Sequence, residues 1–440
     1  MKMIYDVNDK PKFGQILVFA LQQLLAILAA TIAVPAIING STEAGMSSSA
    51  ALFGAGVGTI VYLLFTQFKS PVFLGSSFAF ISSMIAAFAG AVSVSAGYLG
   101  IILGAVFAGL VYVVLSLIVK AVGVAWINNL MPAVVIGPTV AIIGLSLAGN
   151  AVGDLTTNPV DCPFSYAGLI CGLVTLFVTM ICSVYGKKMA KMIPFIIGIA
   201  AGYIVAVLFT VIGGEGFKFV DFSSFNDMKW IPDFTFTTAL GAFGEIDGAY
   251  VGTIAVAYIP VAFVVFAEHI ADHKNLSSII EKDLLEDPGL NRTLLGDGVG
   301  SMVGAFFGGC PNTTYGESIG CVAISGNASV ITIFATAILA IVASFFAPLV
   351  TFLATIPSCV MGGVCVALYG FIAVSGLKML QKVDLNDNRN LFVVSVILIA
   401  GIGGLSLTFG KVTVTEIATA LILGIITNKV LGAKKESSNN

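Results

Sequence analysis

Residues 70–119 contain no Asp, Glu, Lys or Arg. No apolar core segment of a soluble protein runs that far without a charge. The stretch has room for two membrane crossings of ~20 residues each. The rest of the chain agrees. Of 440 residues, 58% are hydrophobic and 10% are charged, whereas soluble domains carry about 25% charged residues. The apolar blocks are long and continuous, where a β-barrel would show short alternating strands. The sequence therefore reads as an all-α polytopic membrane protein.

Fourteen apolar blocks follow one another, at 13–38, 49–67, 72–92, 97–119, 126–148, 164–185, 192–213, 250–268, 290–309, 311–324, 328–348, 354–376, 391–409 and 412–430. The first is too long for a signal-peptide core and lacks a clear cleavage site after it, so it reads as a first transmembrane helix. Basic residues test the count. With the N-terminus inside, 17 of the 20 Lys and Arg fall on inside sections, and only Lys218, Lys229 and Lys411 fall outside. That bias fits the positive-inside rule and puts both termini on the cytoplasmic side. The loop 214–249 is acidic and rich in Phe, and reads as lying along the outer interface. The seven cysteines are odd in number and read as small packing residues. No cysteine pair has metal-ligand spacing, and the only histidines are His269 and His273, so no metal or cofactor is expected, nor a nucleic-acid partner.

Two of the blocks are short and open on polar, helix-breaking sequence. Block three opens FLGSSFAFIS, residues 73–82, and block ten opens CPNTTYGESIG, residues 310–320. They lie seven blocks apart. Seven is odd, so a repeat of that length inverts in the membrane, giving two inverted 7-segment repeats. Paired interrupted segments in inverted halves point to a transporter's binding site. Irregular backbone leaves N–H and C=O groups unpaired and survives only where protein or a watery cavity covers it. The two extended openings are expected to pair as short strands. The half-helices behind them would aim their N-terminal ends across a cavity.

Carboxylates in the spans are costly and therefore informative. Glu268 ends block eight in VVFAEHIADH, and Glu317 sits in block ten. They form the candidate binding pair: two carboxylates facing one cavity can accept hydrogen bonds from the N–H donors of a small planar ligand, and a protonated carboxyl can carry a proton. Asp272 lies four residues past Glu268, on the same face if the helix continues. Asp272 and His273 either face the site or belong to the cytoplasmic stretch beyond it, and with Glu268 and Glu317 they are the proton-coupling candidates. Asp297 and Glu416 read as structural. In EDPGLNR, Asp287 reads as an N-cap with Pro288 at the first helical position. Of Gln22 and Gln23, one is expected to reach Glu317 or the ligand. Phe78 and Tyr315 are candidates to stack on a flat ring.

These residues carry a resemblance. The chain resembles the nucleobase–ascorbate (nucleobase/cation symporter-2) transporter family, and within it the bacterial uracil permeases. The match is densest at LQQLLAILAATIAVP, FLGSSFAFIS, FAEHIADH, KDLLEDPGL, GGCPNTTYGESIG and IPSCVMGGV. The resemblance implies fourteen helices, a core domain from segments 1–4 and 8–11 (residues 1–122 and 250–350) and a gate domain from segments 5–7 and 12–14 (123–249 and 351–440). It implies a homodimer in the inner cell membrane and proton-coupled import of uracil. Glu268 and Glu317 would bind the base, with Phe78 and Gly316 offering backbone contacts. Three places depart from the pattern. Gln22-Gln23 stands where Gln-His is frequent, Asp272 stands where a second histidine is frequent, and AISGNAS lacks a Thr-Arg pair. The alternatives are a purine permease of the same fold or an anion transporter. No HExxH motif, GxSxG elbow or phosphate-binding cluster supports an enzyme.

Overall fold

The computed structural model describes residues 3–123, 132–187, 190, 193–381, 383–409 and 412–437. The start of the fifth block (126–131), the first residue of the seventh (192), and Lys2, Lys188, Lys191, Lys382 and Lys411 lie outside the described residues. The described residues are predominantly helical. In order come α1 (Phe13–Ser41), α2 (Ser48–Phe65), β1 (Leu74–Ser76), α3 (Ile81–Ala89) and α4 (Val94–Val122). Next come α5 (Ala133–Ser146), α6 (Ala148–Leu155), α7 (Ala167–Tyr185), α8 (Pro194–Ile212) and α9 (Thr235–Ala239). The second half holds α10 (Gly248–Ile280), α11 (Leu290–Gly308), β2 (Asn312–Thr314), α12 (Gly316–Ser325), α13 (Val330–Ser344), α14 (Ala347–Ala354), α15 (Ser358–Leu380), α16 (Asn388–Ile402), the hairpin β3 (Leu407–Phe409) and β4 (Val412–Val414), and α17 (Glu416–Ser437).

Among the described residues, eight helices are long and apolar enough to cross a membrane. A ninth span results if α13 and α14, bent by 79° at a short break, are counted together. Local chemistry sets the ends. Ser47, Ser93 and Asp247 accept from the first-turn amides of α2, α4 and α10, as N-caps do. Gly123, Gly309 and Gly326 take positive φ past the ends of α4, α11 and α12, a conformation that favours glycine.

Two expectations about ends need correction. Block eight does not stop at 268: α10 runs on to Ile280, so Asp272 and His273 lie on the helix and not in a following loop. Asp287 is not an N-cap. Its backbone is extended, and α11 starts two residues past Pro288, behind Gly289 at φ +97°. The Asp287 carboxylate instead accepts from Lys69 Nζ at 2.7 Å.

Packing sorts the helices. α2 lies between α11 and α13, α4 packs on α11 and α10, and α1 packs on α13 and α2. Elsewhere α15 packs on α5, α6 and α7, α7 on α8, and α16 on α5 and α17. α10 meets the second set through β4, α17 and α5, and α1 meets it through α8 and α15. The approach of α2 to α11 is unusually close. A Cβ on Gly54 would fall 2.5 Å from the Gly304 carbonyl, and one on Gly308 2.5 Å from the Ala50 carbonyl. Small residues four apart let helix backbones meet in this way.

Between these helices sits the ribbon. β1 and β2 pair antiparallel, Leu74 opposite Thr314, Gly75 opposite Thr313 and Ser76 opposite Asn312. Its irregular backbone is paid for by neighbours: Leu74 N donates to Thr59 Oγ1, Phe73 N to Ser318 Oγ and Ser77 N to the Pro311 carbonyl. This is how non-helical chain persists within apolar surroundings.

Candidate functional site

A cavity of about 400 Å³ lies against the ribbon, in the range of small-molecule sites. Both half-helix openings line it: Phe78, in a short 3-10 turn ahead of α3, and Gly316, the first residue of α12. The first amides of such helices have no intrahelical acceptor. Glu317 and Glu268 line the same cavity, and so do Asp272, Thr313 and Thr314. The facing wall is apolar, built from Val140 and Ile143 on α5 and Leu368, Phe371 and Ile372 on α15. One side thus offers carboxylates and backbone amides, and the other is mostly carbon, with Ser183 and Met379 also in the lining.

Asp272 is held from the ribbon. Thr314 Oγ1 donates to its Oδ2 at 2.6 Å, which fixes one carboxylate oxygen. Among the described residues, neither Glu268 nor Glu317 is bonded to another side chain. Phe78 presents its ring edge-on to Tyr369, with centroids 6.1 Å apart. Tyr315 borders the cavity but is committed to the ribbon. Its ring lies over Gly75, where any Cβ would fall 2.3 Å from it, and its hydroxyl donates to the Ser76 carbonyl at 2.9 Å.

Two candidates are placed away from the cavity. Gln23 is buried and does not line it; its Nε2 donates to the hydroxyl and carbonyl of Ser318, next to Glu317. Gln23 reaches the site only by bracing α12. His273 is fully buried on another face of α10. Its Nδ1–H donates to the His269 carbonyl at 2.8 Å, so Nε2 of the neutral ring accepts from Tyr62 at 2.7 Å. His269 stacks on it with centroids 4.1 Å apart, and its own nitrogens lie 2.7 Å from Asp297 Oδ2 and 3.0 Å from Thr293 Oγ1. Asp297 therefore serves a buried network. Glu416 accepts from Ser82 at 2.6 Å and joins α17 to α3.

Sequence reasoning missed Thr313, Thr314 and the apolar wall. Thr314 had a signal in its place, one residue ahead of Tyr315 in a strand of alternating faces. Leu368, Phe371 and Ile372 have helical spacing, but nothing in an apolar block separates a cavity wall from a lipid face.

The chain matches the model of a permease family over residues 14–409. It is 38% identical to a uracil permease of Bacillus caldolyticus over 444 aligned positions, covering 100% of this chain and 97% of the relative. It is 37% identical to a uracil permease of Bacillus subtilis (strain 168), covering 99% and 97%. Among solved structures it is similar in fold to the transmembrane domain of a cyanobacterium bicarbonate transporter, BicA, with a TM-score of 0.65, 15% identity, and coverage of 96% of this chain and 100% of that one.

Proposed function

Since the chain belongs to this permease family, and is a multi-pass membrane transporter rather than an enzyme, we propose that it imports uracil together with protons. The observation that carries this reading is the meeting of Glu268 and Glu317 with the starts of two half-helices in one cavity. Uracil presents ring N–H donors and carbonyl acceptors along its edge. Carboxylates accept from the former, and the first amides at Phe78 and Gly316 donate to the latter. The carbon wall covers the flat face. Protonation of one membrane carboxylate favours binding, and the proton travels with the base. Asp272 is a further proton-coupling candidate through its place in the cavity. Tyr315 and Gln23 support the site, and His273 would act only through the helix it braces.

The architecture we propose has fourteen segments in two inverted repeats. β1 with α3 and β2 with α12 are the repeated units, and their antiparallel pairing agrees with the inversion. The helices of 13–122 and 248–344 form the core and those of 133–212 and 358–437 the gate, as their packing suggests. Transport moves the core against the gate around the site. The protein works in the inner cell membrane as a homodimer with both termini cytoplasmic.

A purine permease of the same fold is the alternative. An anion carrier is disfavoured by three carboxylates in the cavity. Uptake of labelled uracil into permease-deficient cells at two external pH values tests the reading, with excess unlabelled xanthine as competitor. Uptake that rises at low pH, resists xanthine and collapses in Glu268→Gln and Glu317→Gln is expected. Loss to xanthine moves the assignment to purines. No uptake by folded, membrane-inserted protein sinks the substrate.

A further inference from the structure

We infer that one water molecule is bound between Tyr112, Asp297 and Asn312, and that it holds the ribbon in register beside the substrate cavity. Asn312 opens β2. Its side chain lies in a slot between α2 and α11 that only glycine leaves open: a Cβ at Gly58 or Gly304 would fall 2.4 or 2.2 Å from its Nδ2. In that slot Nδ2 donates to the Gly54 carbonyl at 3.1 Å. Its Oδ1 has no protein partner among the described residues, and neither have Asp297 Oδ1 and the Tyr112 hydroxyl. The three residues are 3%, 1% and 4% exposed, where unpaired polar atoms are rare. All three line one small cavity of about 10 Å³, whose remaining lining is Phe80, Ala108, Val265, Gly109, Gly298 and the hydroxyl-bearing Ser301.

That space holds about one water, and a buried water typically makes about three hydrogen bonds. The chemistry matches atom for atom. Two acceptors, Asp297 Oδ1 and Asn312 Oδ1, take the two water hydrogens, and the Tyr112 O–H donates to the water oxygen. Three unpartnered side-chain oxygens are too few to replace the shell of a metal cation, which takes six or more oxygens in the hard-cation sites of proteins.

The consequence reaches the site through β2. Asn312 and Asp297 do not line the substrate cavity, but Thr313 and Thr314, the next two residues of the strand, do. Asp297 is already anchored to His269 by its other oxygen. The water therefore ties the strand to α4 and α11, and Tyr112, Asp297 and Asn312 are positioning residues. The transport half of this inference rests on the uracil reading; the water does not.

The test is a map of the full chain in a lipid environment at a resolution that shows ordered water, together with uracil uptake by Tyr112→Phe. One peak within about 2.6–3.2 Å of all three oxygens is expected. Loss of the phenol should weaken that peak and raise KM about 3- to 10-fold, with maximal uptake per folded transporter unchanged. An empty cavity, or a peak ringed by five or more oxygens at ion distances, overturns the site. An unchanged KM in a variant that has lost the peak overturns the positioning role. If the chain carries no uracil, the wild-type map still decides the site, so the two failures are told apart.

Discussion

Two faces of α10 differ by one residue in sequence and completely in environment. Glu268 and Asp272, one turn apart, face the cavity. His269 and His273, each the next residue along, turn about 100° away and bury themselves against α11 and α2. The cavity face leaves its carboxylate oxygens mostly unengaged, available to a ligand. The far face engages every ring nitrogen with a protein partner. A site keeps binding capacity unspent, and a scaffold spends it. Titratable residues that cluster in sequence therefore need not share a function.

Glu268→Gln or Glu317→Gln should lower uracil uptake about 10- to 100-fold, while thermal unfolding of the purified protein stays close to wild type. A large fall in melting temperature would move these residues to the scaffold. His269→Leu should do the reverse. It leaves Asp297 buried without its partner, at about 3 kcal/mol or more, so the melting temperature should fall well before binding is altered in the protein that remains folded. If instead uptake loses its pH dependence at unchanged stability, the far face belongs to the transport chemistry.

Smaller changes sharpen the contrast. Asp272→Asn keeps an acceptor for Thr314 and removes only the charge, so KM should change less than about 10-fold. At the edge of the molecule, Lys282 Nζ lies 2.7 Å from Asp6 Oδ2 in a half-exposed pair. The hydrogen bond from Lys282 is the main cause that holds the Asp6 carboxyl below its usual 3.8. A lowered folded value means the stabilisation is present at neutral pH and is lost as pH falls below about 4. Lys282→Ala should thus cost less than about 1 kcal/mol at pH 7 and progressively less as the pH falls below about 4, as unfolding across that range would show.

Much of the site was legible. Glu268 and Glu317 stood out because a carboxylate in an apolar block has few structural excuses, Phe78 because it follows a Gly-Ser-Ser run, and Gly316 through the family resemblance. Both pairs line the cavity. The expected strand pairing of the two openings is present in full register. Gln23 was harder: a buried amide needs some partner, and sequence could not choose between Ser318 and the ligand. Asp287 misled because Asp-Pro resembles a helix start, while Gly289 makes the chain turn once more before α11.

The lipid surroundings, the helices and the breaks in them were legible in the residues alone. Those follow from local terms: transfer of side chains to lipid, propensity, and backbone hydrogen bonds that must be satisfied nearby. Tertiary structure alone decided which face of α10 is a site, that Asn312 fits a slot of glycines on two distant helices, and that the walls of α5 and α15 close the cavity. These depend on helix rotation and on contacts between residues hundreds of positions apart, and a run of apolar letters is nearly the same whichever way its helix is turned.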